Sequence, residues 1–558
     1  MLARLDRLGA AKEVAQIGAA IGREFTHALL AAVVRKPAQE LGSALDRIVR
    51  AGLLFRQGLA PHASYLFKHA LIQDAAYGTL LREPRRALHA RIAETLESGF
   101  ADIAENQPEI LARHCTEAEL IEKAAGLWGK AGQRSLGRSA LVEAAEQLRR
   151  ALAQIATQPG TTALRREQIK LQVALITPLI HVKGYAAPET KVAVEQGRLL
   201  IEQAERLGEP PEDPLLLFSV LYGLWVANIA AFNGEVVCEL AAQFLAIAEK
   251  QRATVPLMIG HRLVGMSLLH TGDIVEGRAH LDRANALYNP NEHRALATRF
   301  GQDSRVTILS RRSWALWLLG YPEAALADAA QVLKDGREIG HAATLMHALA
   351  RPSFTLICCG DYAAAEAQAS EVIALAGQKG ATQWKAAGLI SQGWLSTLTG
   401  EASNAVQMLS SGITAWRSTG ATLWMPWYLS CLASAHAELG QFDCACRCLG
   451  DAITAAVSTQ EKWYEAEIHR TAGEIALMLP EPDAAKAETD FERALAIARQ
   501  QQAKSWELRA AISFARLWRD QGKVQQAREL LAPVYGWFTE GFDTRDLKEA
   551  KALLDELA

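Results

Sequence analysis

The sequence predicts an all-α protein, with an N-terminal winged-helix module followed by a long α-solenoid of helical hairpins. Two observations predict it. A short turn recurs in fixed phase, with an aromatic residue before it and an alanine after it. The first hundred residues lie outside that phase and carry helix, hairpin and helix patterns instead. Repetition at a period of roughly 20–50 residues is the mark of stacked supersecondary units.

The N-terminal module reads as two amphipathic helices over residues 3–21 and 38–52, the second ending at Ala51-Gly52. Two short alternating runs, Leu53–Arg56 and Ser64–Lys68, flank a Gly/Pro-containing connector and read as a β-hairpin wing. The helix ALIQDAAYGTLL follows, and EPRRALHARIAETLE opens the next with Pro84 at a helix start. This module is assigned to residues 1–98. Residues 99–215 hold a first hairpin (124–155) and a stretch broken by TQPGTT and LGEPPEDP, read as irregular or as modified repeats.

The solenoid occupies residues 216–558. Glycines 320, 360, 400 and 440 stand forty apart, Pro480 takes the next turn slot, and Gly522 follows. Gly272 and Gly234 extend the series backwards with looser spacing. Trp384, Trp424, Trp463 and Trp506 lie sixteen or seventeen residues before the turn; Ala325, Ala365, Ala405, Ala445 and Ala527 lie five after Gly320, Gly360, Gly400, Gly440 and Gly522. In a helical hairpin the aromatic opens helix A, glycine permits the left-handed turn, and alanine lets helix B approach its neighbour closely.

Composition narrows the function classes. Of 558 residues, 50% are hydrophobic and 22% charged, a globular balance. Fifty-nine Lys+Arg against 62 Asp+Glu give a net charge of −3, which excludes a chain-wide electrostatic grip on nucleic acid. Eight unevenly spaced cysteines make no disulfide framework. The opening MLARLDRLGAAKEVAQ has no secretory apolar core, so a cytoplasmic location is expected. Residues 214–234 are uncharged and of about bilayer-spanning length. The polar Ser219, Asn228 and Asn233, the acidic flank Glu212–Asp213 and the lack of flanking basic clusters read instead as a buried helix, with no membrane partner.

The hairpin pattern resembles the tetratricopeptide (TPR) repeat, lengthened by about six residues and without its strict helix-A motif. A second resemblance is broader. IGREF (21–25), AGLLFR (51–56), YLFKHALIQDAAYGTLL (65–81), RRALHARIAETLE (85–97), the stretch 300–329 and the tail 501–557 resemble a bacterial family. Its members join a class III adenylate/guanylate cyclase domain, a STAND-type NTPase, a winged helix and a TPR tail. The resemblance implies that the chain begins inside the family pattern, at the end of the NTPase module. It implies a sensing role for the solenoid, coupled to NTPase and cyclase modules in cis or in trans. ATP or ADP belongs to those modules, and no cofactor is expected in this chain. The cyclase core is not recognisable, and Gly129-Lys130-Ala131 is no phosphate-binding loop. Leu553-Leu554-Asp555-Glu556 mimics a Walker B string without a partner loop. The chain itself is therefore expected not to be an enzyme.

Candidate sites are few. The resemblance implies that His69, in Phe67-Lys68-His69, contacts a nucleotide phosphate in a full-length parent; its plainer reading is a histidine capping the wing-to-helix junction. Arg82, Arg85, Arg86 and Arg91 form a basic cluster, interrupted by Glu83 and Glu94, that could contact DNA. Cys444, Cys446 and Cys448 lack the further ligands zinc needs and read as small core residues, as do Cys358 and Cys359. The tryptophan ladder reads as inter-repeat core, with a peptide-binding groove as the alternative. Other polar residues show no spacing distinct from a solvated helical face. The expected function is non-catalytic regulatory protein binding on the solenoid surface; the alternative is a stand-alone transcriptional regulator with a DNA-binding winged helix.

Overall fold

The computed structural model describes residues 2–158, 160–209 and 212–558. Pro159, Pro210 and Pro211, in the two breaker stretches, lie outside the described residues. Two compact units form: Met1–Ser135 with Glu143–Leu171, and Leu136–Val142 with Gln172–Ala558.

The first unit is built on a winged helix. Helix Ala11–Ile21 leads to strand β1 (Glu24–Thr26), then helices His27–Val34 and Ala38–Arg50, then β2 (Leu54–Gln57) and β3 (Ser64–Phe67). The sheet is antiparallel in the order β1-β3-β2, with Phe25 opposite Tyr65 and Phe55 opposite Leu66. Strand β1 and helix His27–Val34 were not anticipated. Three residues of strand give no alternation to read, but IGREF turns out to supply it. Thr26 then caps the following helix by accepting from the Leu29 N–H at 3.2 Å. A Cβ on Gly18 would come within 2.7 Å of the Phe25 ring, so glycine lets helix Ala11–Ile21 lie against the sheet. The helix expected to open near Pro84 begins at Arg82, and Pro84 falls in its first turn, where a missing N–H breaks no bond.

The stretch between module and repeats carries long helices, Thr162–Lys183 and Pro188–Arg206 among them. The uncharged segment forms helix Leu215–Ala230, buried on most of its surface. Among the described residues, no helix is long and apolar enough to cross a membrane.

The repeats are TPR-like hairpins. Gly272, Gly320, Gly360, Gly400, Gly440 and Gly522 all turn left-handed, with φ between 69° and 94°. Gly234 does not; it opens helix Gly234–Gln251 behind the Asn233 cap, against Gln460 and Thr271. A second set of left-handed residues, Gly340, Gly380, Gly420 and Gln460, closes the B helices midway between the first. Chain direction therefore reverses about every twenty residues. Ala325, Ala365, Ala405, Ala445 and Ala527 are fully buried where B helices meet their neighbours. Trp384, Trp424, Trp463 and Trp506 are likewise buried at the starts of A helices.

One A helix is broken. Ala342–Ala350 and Ser353–Cys359 occupy a single helix slot, interrupted at Arg351-Pro352 because proline lacks a donor and clashes with the preceding turn. Successive hairpins also meet again after a full superhelical turn. Thr422 and Leu423 donate to the Ala230 carbonyl at 2.9 and 3.0 Å, and Lys462 donates to the His270 carbonyl at 2.9 Å. Ser505 reaches the Trp317 carbonyl across 188 residues.

Candidate functional site

The A helices are buried nearly all round, one side against B helices and the other toward the middle of the second unit. Trp314 packs on Trp463 with ring centroids 4.5 Å apart, and Trp317 on Trp506 at 4.8 Å. The ladder is thus core, and it joins one superhelical turn to the next. Two polar regions are set into this aromatic interior.

The first is a groove of ≈ 230 Å³ lined by A helices Met425–Glu438, Glu465–Met478 and Lys504–Asp520 and by the terminal helix Arg545–Glu556. Residues spaced three or four apart share a helix face. Glu467, Arg470 and Glu474 form one such stripe, Arg509, Ser513 and Arg516 a second, and Asp546 and Glu549 a third. Their charges are interleaved. Arg470 grips Glu467 through two bonds of 2.8 Å, Arg509 holds Asp546 at 2.6 Å and Glu467 at 3.3 Å, and Arg516 pairs with Glu549. Burial alone would raise the Glu467 carboxyl, but Arg470 and Arg509 outweigh it and hold the pKa below the ordinary value.

The second is a smaller chamber of ≈ 50 Å³ where A helices Thr254–Thr271 and Ser304–Leu318 and the broken helix converge. Each contributes one arginine. The Arg262 guanidinium lies 5.1 Å from the Tyr222 ring centroid, Arg311 5.0 Å from Trp424, and Arg351 5.1 Å from Trp384. His347 beside them bonds Ser310 at 2.8 Å. Its pKa is held well below the ordinary value, first by burial and then by Arg311, Arg351 and Arg262.

The residues singled out in the sequence fall elsewhere. His69 is exposed at the start of helix Ala70–Gly78 and makes no capping bond. Arg82 and Arg86 both pair with Glu119, at 3.1 and 3.2 Å, and Arg85 lies over the Tyr77 ring. These three and Arg91 sit on helix Arg82–Gly99, after the wing. Cys446 is exposed and Cys444 and Cys448 only half-buried, so the core reading fails there; Ala445 fills the core position. Cys358 and Cys359 are buried. Among the described residues no cluster of three or more His, Cys, Asp or Glu side chains could hold a metal ion.

The lining arginines escaped notice because each, taken alone, looks like a solvated helical charge. Their phase was the available signal: Arg262, Arg311, Arg351 and Arg470 stand nine or ten residues before Gly272, Gly320, Gly360 and Pro480.

No family model matches the chain. An uncharacterized protein of Rhizobium meliloti is 26% identical over 473 residues, covering 84% of this chain and 45% of that protein. The chain thus spans less than half the length of this curated relative. A Rap protein complexed with competence and sporulation factor aligns with TM-score 0.46 and 13% identity, over 70% of this chain and 100% of the other. A STAND protein with a tetratricopeptide repeat sensor from Pyrococcus horikoshii aligns with TM-score 0.30 and 12% identity, over 98% and 64%. The Rap conjugation gene regulator of plasmid pLS20 in complex with the Phr* peptide gives 0.39 and 11%, over 70% and 95%. At these scores the likenesses assign no function.

Proposed function

We propose that the chain is a non-catalytic regulatory module whose solenoid binds a peptide segment of a partner protein in the Glu467–Arg470–Arg509–Arg516 groove. The observation that carries this reading is the groove's chemistry: three helix stripes bring the carboxylates of Glu467, Glu474, Asp546 and Glu549 and the guanidiniums of Arg470, Arg509 and Arg516 together along one groove. Partner groups would exchange for internal ion pairs that cost little to break at the rim, where Arg516 and Glu549 are partly exposed. The bound state would then be passed on as a population shift between arrangements of the solenoid.

The downstream modules belong to the same proposal. The winged helix would couple the solenoid to NTPase and cyclase modules, in cis or in trans, as the family resemblance implies. Phe55 and Leu66, cross-strand neighbours on β2 and β3, are 54% and 37% exposed and supply an apolar contact for such a module. The transcriptional reading has less support, because Arg82 and Arg86 are already tied to Glu119.

Panning a random peptide display library against the purified chain tests the groove. The expected result is an enriched motif whose binding falls on the order of tenfold or more in Arg516→Glu, a change of at least about 1.4 kcal/mol. Enriched peptides that bind Arg516→Glu as well as wild type, or no enrichment at all, would overturn the assignment.

A further inference from the structure

The chamber formed by Arg262, Arg311 and Arg351 is unlike the groove, because its charges are all of one sign. None of the described residues lining it is acidic. Arg262 and Arg311 are 1% and 5% exposed. Arginine cannot shed its proton to relieve burial, so three guanidiniums gathered in an apolar wall repel one another. The aromatic faces of Tyr222, Trp424 and Trp384 compensate in part. A ring stacked on a guanidinium face leaves the N–H edges free, and here, although Arg351 also bonds Tyr428, several of those N–H groups are unspent. Nε and Nη2 of Arg262, Nε of Arg311 and Nε of Arg351 are buried with no hydrogen-bond partner among the described residues. Arg262 Nη1 has only a long contact, 3.4 Å, to Ser304. Burial, and then Arg351, hold the Arg311 pKa well below its ordinary value, as expected of a charge without a counter-charge.

Nearby carboxyls do not supply the missing charge. Glu461 is buried, but its oxygens are taken by the Trp424 N–H at 3.1 and 2.9 Å and by Trp463 Nε1 at 2.9 Å. Asp303 is engaged by Tyr288 and by the helix start at Arg305 and Val306. Unpaired buried donors on several side chains that line one cavity are what an oxyanion site consists of.

We infer that this chamber is a binding site for a single oxyanion, the carboxylate or phosphate of a small acid, held by the guanidinium edges of Arg262, Arg311 and Arg351. The space of ≈ 50 Å³ admits a head group with a few attached atoms. The site is separate from the groove assigned above to a partner, since the two share no lining residue. Binding would neutralise the junction of the two solenoid turns, where Leu423 both lines the chamber and bonds Ala230. The chamber would thereby give the solenoid a small-molecule input.

The test titrates the full chain with inorganic phosphate, with succinate, and with a short peptide bearing a free C-terminal carboxylate, each at matched ionic strength. Its readouts are melting temperature and tryptophan fluorescence. The expected result is a saturable rise in melting temperature with a fluorescence change, and affinity reduced on the order of 30-fold or more in Arg311→Met. Arg311→Met should be at least as stable as wild type without anion, because it removes an uncompensated buried charge. Arg351→Gln, at the half-exposed edge, serves as the second variant, with the same loss expected. Binding by phosphate or succinate would mark a free acid as the ligand. Binding by the peptide alone, lost on amidating its terminus, would mark a chain end. No saturable response to any of the three probes, or equal responses in wild type, Arg311→Met and Arg351→Gln, would overturn the inference.

Discussion

Glu461 shows how an isolated buried acid sets a pH dependence. It lies beneath Trp424, which adopts a left-handed backbone (φ 73°) that a bulky side chain rarely accepts. The Glu461 oxygens hold that geometry through the Trp424 N–H bonds. Burial pushes the carboxyl from 4.5 up to about 8, against the opposing hydrogen bonds from Trp463 and Trp424. The folded protein therefore keeps a proton that the unfolded chain releases above pH 4.5. The group's stabilising contribution is full below that pH and is lost as pH rises to about 8. Glu461→Gln retains an acceptor and cannot ionise. Its melting temperature should fall less between pH 5 and pH 8 than that of wild type, with a relative gain on the order of 2 kcal/mol at the upper end. Parallel curves for the two proteins would show that the acid does not titrate in this range.

Single helices and turns explain why some of the fold was legible in the sequence and the rest was not. The A-to-B turns were legible because only glycine is at ease at positive φ, so a backbone requirement became a repeated letter. Gly400 and Gly320 share that conformation, at 84° and 89°, but not their surroundings. A Cβ at Gly400 meets nothing within 4 Å, whereas one at Gly320 would lie 2.5 Å from the Trp537 ring and 3.0 Å from Lys504 Cβ. Gly400→Ala should cost about 1 kcal/mol of unfolding free energy, from backbone strain alone. Gly320→Ala should cost about 2 kcal/mol or more, because a packed contact must also move. Equal losses on denaturant titration would contradict that difference. The polar interior was illegible for a related reason. Helical spacing reports which residues share a face but not what the face meets, so Glu467-Arg470-Glu474 reads as solvated until a second helix stripe lies against it. Strand β1 was missed for its length, and Gly234 was misread because a glycine at a helix start looks the same in sequence as one at a turn.

At the scale of the second unit, contacts between superhelical turns change what a repeat array ordinarily is. Stacked repeats that touch only their neighbours behave as one-dimensional arrays whose ends loosen independently. Here Glu540 Oε1 accepts from the Glu323 and Ala324 N–H groups at 2.9 and 3.1 Å, capping helix Pro322–Ile339 from 217 residues away. Gly541 N–H returns the contact to Glu323 at 2.8 Å. Glu540→Ala should lower stability by about 1 kcal/mol, as loss of a helix cap does. It should also speed amide exchange in the first turn of Pro322–Ile339 as well as around residue 540. Exchange altered only near residue 540 would mean that the turns are energetically separate.

Helical-repeat proteins commonly lengthen and shorten over evolutionary time by gaining or losing whole units. In this chain that route is closed across most of the array. One extra forty-residue unit between Trp317 and Thr422 would carry Thr422 past its acceptor and displace Lys462 from His270 and Ser505 from Trp317 in the same step. The number of units is therefore fixed by geometry, and divergence is left to the loops and the groove-lining side chains.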